Sequence, residues 1–275
     1  SWTDGLSEGT SNAYDNYHLA TPYLKLIKSG KVGTKELDDK VRRILRLAYH
    51  TTMNPARPLG NIASEDHKTA ARTVGEEGIV LLQNKGNVLP LDLKKVKTIA
   101  VIGENAIKMM TVGGGSSSLK VLYETLPIDG IKNHFGTSEI LYERGYIGDP
   151  SGEYNGVKSG QNLADSRSEK ELMNDALQLA KKADAVLFIG GLNKSDFQDS
   201  EGNDRKNMDL PYNQNQLISA LAKVTKNLTV VLISGNAVSM PWINEVPAVL
   251  QAWYLGSEAG NALASVLSGQ TNPSG

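Results

Sequence analysis

The feature that most constrains the fold is a set of short, unbroken apolar runs: Thr98-Ile99-Ala100-Val101-Ile102-Gly103, Ile140-Leu141-Tyr142, Ala185-Val186-Leu187-Phe188-Ile189-Gly190-Gly191, Leu228-Thr229-Val230-Val231-Leu232-Ile233-Ser234 and Ala248-Val249-Leu250-Gln251-Ala252-Trp253. A strand with one wet face alternates apolar and polar residues, so continuous β-branched runs predict strands buried on both faces. Amphipathic segments at Glu169 to Lys182, Asn213 to Lys226 and Glu258 to Leu267 separate them and predict helices. Strand and helix in alternation predict an α/β protein, a mostly parallel sheet flanked by helices. The stretch Tyr146 to Ser166, rich in Gly, Ser, Asp and Asn, predicts a long surface loop or insertion.

Upstream of the first run the pattern is helical. Over residues 31 to 50, Leu37, Val41, Ile44, Leu45 and Ala48 recur at helical spacing behind Thr34, which is expected to cap the helix. Thr51 to Asn61 carries Pro55, Pro58 and Gly60 without periodicity, which predicts a linker and a domain boundary near residue 58. Ser64, followed by Glu65 and Asp66, is expected to open a second helix through Ala70, Ala71, Val74 and Val80 that ends around Asn84-Lys85-Gly86. The start, Ser1-Trp2-Thr3-Asp4-Gly5, has neither an initiator Met nor a signal pattern, and the end, Asn272-Pro273-Ser274-Gly275, stops in turn residues. Both ends read as cuts from a longer protein.

Composition narrows the function. The 29 Lys plus Arg against 30 Asp plus Glu give a net charge of −1, and the one dense cationic stretch, Lys94, Lys95 and Lys97, is short. Nucleic-acid binding needs a basic excess or stripe, so it is not expected. With 40% hydrophobic and 21% charged residues the chain is apolar enough for a sizeable core. There is no Cys, and the four His lie scattered without ligand spacing, so neither a metal site nor a cofactor is expected. No apolar run reaches the roughly 18 residues that cross a bilayer, so no membrane partner is expected.

In open parallel sheets, ligands bind beyond the carboxyl ends of the strands, which directs attention to the loops after residues 103, 191, 234 and 254. One is long and charged: residues 192 to 210 hold Lys194, Asp196, Asp199, Glu201, Asp204, Arg205, Lys206 and Asp209 at the end of a buried strand. A charged loop on a rigid strand end suits catalytic groups, and it equally suits a solvated acidic loop. The spacing of Asp196, Asp199, Glu201 and Asp204 does not match a calcium loop. The run Gly113-Gly114-Gly115-Ser116-Ser117-Ser118 permits close backbone approach to a ligand, but it is not a phosphate-binding fingerprint.

Four separated segments carry a family resemblance. Glu201-Gly202-Asn203-Asp204-Arg205-Lys206-Asn207-Met208-Asp209-Leu210-Pro211, Leu232-Ile233-Ser234-Gly235-Asn236-Ala237-Val238 and Gln251 to Ala262 (QAWYLGSEAGNA) resemble the second, α/β sandwich domain of glycoside hydrolase family 3, the β-glucosidase family. Val74 to Asn84 (VGEEGIVLLQN) with Leu89-Pro90-Leu91 resembles that family's interdomain segment. The resemblance covers essentially the whole chain. It implies that residues 1–58 are the end of a (β/α) barrel domain with its linker, and that residues 59–275 form the sandwich domain, cut before its last strand.

The resemblance also implies a retaining β-glucosidase acting on terminal β-D-glucosyl residues, with a β-glucoside or oligosaccharide as substrate and the barrel as intramolecular partner. The residue matching the family's acid/base is Glu201, in the loop already singled out. Ser116 or Ser117 is implied to reach the sugar, with solvated turn serines the alternative reading; Asp204 and Arg205 are implied to brace the loop by ion pairing. Glu258, at the start of the last helix, is the second candidate for the acid. The nucleophile is expected upstream of Ser1, since neither Asp196 nor Asp4 lies where the family's barrel Asp does. Further expectations are an inactive, self-associating isolated chain and, from the family, a periplasmic or secreted setting. A β-xylosidase, a related β-glycosidase and a non-catalytic carbohydrate-binding or interaction module are the alternative readings.

Overall fold

The computed structural model describes residues 19–111, 119–154 and 157–275. The chain divides into two compact units, 1–61 and 62–275. In the first, helices α1 (Thr21–Lys28) and α2 (Lys35–His50) leave no described residue buried. The expected Thr34 cap is absent. A capping side chain needs an extended backbone to aim its oxygen at the first turn, whereas Thr34 is itself helical (φ −85°, ψ −9°) and makes no side-chain cap hydrogen bond.

The second unit opens with α3 (Glu65–Gly78), where Ser64 is extended and its Oγ accepts from the His67 amide at 3.4 Å, as its position before an acidic first turn predicts. The strands are β1 (Val80–Asn84), β2 (Thr98–Ile102), β3 (Glu139–Glu143), β4 (Glu153–Tyr154), β5 (Val157–Lys158), β6 (Ala185–Gly191), β7 (Leu228–Ile233) and β8 (Ala248–Gln251). The helices that follow α3 are α4 (Pro127–His134), α5 (Glu169–Lys182), α6 (Gln214–Val224) and α7 (Ala259–Ser268). Six strands form one sheet in the order β1-β8-β7-β6-β2-β3, and β4 pairs with β5 in a hairpin inside the long 146–166 insertion. Every pair in the sheet is parallel except β1 with β8.

That exception corrects the sequence reading. Val80 to Asn84 was expected to continue the second helix, because Val74 and Val80 keep helical spacing. The helix instead stops at Gly78, Ile79 turns extended, and Val80 to Asn84 pair with Gln251 to Ala248 as an edge strand. A short apolar run has no decisive period of its own, and pairing with a buried neighbour decides its state.

Successive residues of the central strands feed two cores. Ile99, Val101, Leu187, Ile189 and Val231 pack with Ile131 and Phe135 at α4 and Leu263 and Leu267 of α7. Ala100, Ile102, Val186, Phe188 and Val230 pack with Ala176 and Ala180 of α5 and Leu217 and Leu221 of α6. Helices therefore cover both faces, which is the physical reason these strands carry no polar alternation. Among the described residues, no helix is long and apolar enough to cross a membrane.

Candidate active site

The carboxyl ends of β2, β6, β7 and β8 lie together at one end of the parallel sheet. The charged loop 192–210 leaves from β6. Its root is fixed by Gln214, the first residue of α6: Oε1 accepts from the Gly191 amide at 2.8 Å, and Nε2 donates to the Gly191 carbonyl at 2.8 Å. A side-chain amide so placed satisfies both backbone groups of a strand end. Gly191 has φ +120°, and a Cβ there would stand 2.2 Å from the Ile233 carbonyl oxygen, so only glycine fits.

From that root the incoming limb folds on itself. Asn193, 2% exposed, accepts at Oδ1 from the Ser195 amide at 2.8 Å and at its carbonyl from the Asp199 amide at 3.0 Å. Gln198 accepts from the Asn193 amide at 3.0 Å and donates to the Tyr212 hydroxyl at 2.6 Å. Asp199 then joins the loop to the next two strand ends. Its Oδ2 accepts from the Gly235 amide and the Tyr254 hydroxyl, each at 2.7 Å, and its Oδ1 accepts from Asn236 Nδ2 at 2.6 Å. Lys194 lies over the Tyr254 ring, 4.3 Å from its centroid.

The outgoing limb is tied separately. Arg205 Nη2 donates to the Ala237 carbonyl at 2.6 Å. The Ser239 amide donates to the Met208 carbonyl at 2.8 Å, and the Ser239 hydroxyl donates to Asp209 at 2.7 Å. Glu201 stands between the two limbs with its side chain exposed. Arg205 thus braces the loop through a backbone carbonyl, and among the described residues no ion pair joins it to Asp204, which is exposed. Asp196 is exposed at the bend of the incoming limb. Ser116, Ser117 and Asp4 lie outside the described residues.

Behind the loop is a buried ionic cluster with no counterpart in the sequence reading. Lys108, 1% exposed, donates to Glu104 Oε1 at 3.1 Å and to the Asp149 carbonyl at 2.6 Å. Arg144 Nε donates to the second Glu104 oxygen at 3.1 Å. Ser195 of the charged loop donates to the Asp149 carboxylate. Burial alone would raise the Asp149 carboxyl; hydrogen bonds from Ser195 and Ser151 outweigh it and hold the group below its usual range. The cluster therefore links β2, the long insertion and the charged loop.

Glu258, the second candidate acid, is 6% exposed and accepts from the Tyr123 hydroxyl and from Asn261 Nδ2, both at 2.7 Å. Burial, then the carboxylate itself, push the Tyr123 hydroxyl up to about 12. Glu258 is thus engaged in joining the 122–126 segment to α7. Nearby, Glu124 Oε1 accepts from the Met110 and Thr111 amides at 2.8 and 3.1 Å, and burial raises this carboxyl. Among the described residues no three His, Asp or Glu side chains gather as metal ligands.

The "Glycosyl hydrolase family 3 C-terminal domain" matches residues 79–275. "Beta-glucosidase BoGH3A" from Bacteroides ovatus is 45% identical over 281 residues, covering 100% of this chain and 37% of that protein. "Thermostable beta-glucosidase B" from Acetivibrio thermocellus is 36% identical, covering 98% and 34%. The crystal structure of a Bifidobacterium adolescentis GH3 beta-glucosidase superposes with a TM-score of 0.74 at 28% identity, over 92% of this chain and 34% of that one. The chain spans about a third of the length of these relatives. With the family's domain matched from Ile79 to the last residue and close identity over the whole length, this chain belongs to glycosyl hydrolase family 3.

Proposed function

We propose that this chain is the part of a retaining β-glucosidase that supplies the general acid/base, and that Glu201 is that group. The observation that carries the reading is the form of the loop: the incoming limb is pinned to two strand ends, the outgoing limb is tied to the 237–239 segment, and Glu201 between them is an exposed residue. Two relatives named as beta-glucosidases support the substrate class, terminal β-D-glucosyl residues. Retention takes two carboxyl groups about 5 to 5.5 Å apart. Glu201 donates its proton to the glycosidic oxygen as the nucleophile attacks the anomeric carbon. It then takes a proton from the water that releases glucose. The nucleophile belongs to a barrel domain of which residues 1–58 are the end, with 59–275 as the sandwich; Ser116 and Ser117 contact the sugar. The isolated 275-residue chain is then inactive on aryl β-glucosides, because one carboxylate cannot complete a double displacement.

The test is Glu201→Gln in the full-length protein. Hydrolysis of glucosides with poor leaving groups is expected to fall by about 10²- to 10⁴-fold, and of those with good leaving groups far less. The alkaline limb of kcat/KM disappears, and azide restores turnover by forming the β-glycosyl azide. Equal losses for every leaving group, with no azide rescue, overturn the assignment. A second reading, β-xylosidase, is favoured by a Formosa agariphila relative named "Beta-xylosidase" at 32% identity. Comparing kcat/KM for aryl glucosides and aryl xylosides decides between the two.

A further inference from the structure

We infer that Asp199 is a positioning residue for the acid/base, clamping the incoming limb of the loop to two strand ends so that Glu201 is delivered in one fixed position. The inference rests on the reading of Glu201 above. Its physical basis is the three-donor arrangement at one carboxylate: the Gly235 amide, Asn236 Nδ2 and the Tyr254 hydroxyl, at 2.7, 2.6 and 2.7 Å. Hydrogen bonds to an ionised acceptor are about twice as strong as neutral ones, and three at once leave the side chain little freedom. Two of the donors follow β7 and the third follows β8, so the carboxylate spans adjacent strand ends.

The clamp acts close to the chemistry. Two residues of extended chain reach at most about 7 Å, so a shift of Asp199 carries directly into Glu201. Gln198 to Tyr212 and Ser195 to Asp149 lie further back in the chain, and the Ser200 hydroxyl, which donates to the Asn203 carbonyl at 3.3 Å, bonds within the loop and not to a strand end. Tyr254 is a firm anchor in turn, because Lys194 covers its ring face. A displacement of about 1 Å at a reacting group costs on the order of 10²-fold in rate. Asp199 therefore contributes through geometry, and its effect passes through Glu201.

The experiment uses the full-length enzyme and the variants Asp199→Ala, Asp199→Asn and Tyr254→Phe, each alone and combined with Glu201→Gln. Alone, Asp199→Ala is expected to lower kcat/KM for poor-leaving-group glucosides by about 10²-fold while sparing good leaving groups. Asp199→Asn keeps part of the acceptor set and falls between Ala and wild type. Tyr254→Phe shifts the same ratio less, and it keeps the test alive should Asp199→Ala not fold, since it removes one hydroxyl and leaves the ring beneath Lys194. In the Glu201→Gln background all three are expected to cost nothing further. A loss that is equal for all leaving groups, or that persists in full in that background, overturns the inference while leaving Glu201 as the acid. If Glu201→Gln alone shows no leaving-group dependence, the underlying reading fails first and the positioning role falls with it. Azide rescue of Asp199→Asn with normal behaviour of Glu201→Gln would make Asp199 the acid itself.

Discussion

Lys108 shows how much of this site is held by residues that never meet a substrate. Its ammonium and the Glu104 carboxylate are both nearly inaccessible, at 0% and 1% of side-chain surface, and Arg144 shares the same carboxylate. Removing one member of a buried ion pair strands the other charge, which typically costs about 3–5 kcal/mol. Glu104→Ala is therefore predicted to lower the unfolding free energy read from urea titration by an amount in that range, more than Lys108→Met, which leaves Arg144 on Glu104. Asp165 makes a pH-dependent contribution: hydrogen bonds from Arg167 hold its carboxyl at about 2. A folded value below the unfolded one, about 3.9, stabilises above that pH and is lost as pH falls through the folded value. Asp165→Asn is predicted to flatten the fall in urea midpoint between pH 5 and pH 2. Glu201 could be singled out in the sequence because a charged loop after a buried strand and a family motif coincide on it. Asp199, Lys108 and Tyr254 could not, because each derives its role from groups brought opposite it only by folding.

Among the helices, α4 and α7 meet through glycine. A Cβ on Gly130 would stand 2.0 Å from the Gly260 carbonyl carbon, and one on Gly260 would stand 2.1 Å from the Leu126 carbonyl oxygen. Gly130→Ala is predicted to push α4 away from α7 and destabilise the second unit by about 1–3 kcal/mol, read from chemical unfolding. Strands β2, β6, β7 and β8 and helix α5 follow from sequence alone, since long β-branched runs and a complete amphipathic period leave few alternatives. The elements that escaped were short or at an edge. Helix α4 has eight residues and begins at Pro127, which reads as a break as readily as a first turn. Strand β1 owes its state to β8, and Thr34 its failure as a cap to its own helical backbone.

Taken whole, the chain carries one unit with a two-sided core and one without. Ile44, Leu45 and Leu47 of α2 are 68%, 44% and 65% exposed, on a helix whose spacing is that of a buried face. Contiguous apolar surface of this kind drives association. Light scattering is predicted to show concentration-dependent self-association of residues 1–275, and markedly less for residues 62–275 alone. A clean monomer for both would remove the argument. The pair of hydrogen bonds between Gln214 and Gly191 has a practical consequence. Because the end of β6 is closed by a helix residue and not by the loop, Gly191 keeps both hydrogen bonds whatever the loop contains. Residues 200–207, between those anchors, can then serve as an exchangeable cassette so long as Ser195, Gln198 and Asp199 are kept: transplanting the corresponding segment of another family member should alter leaving-group preference without altering the fold, which makes this segment a starting point for directed evolution.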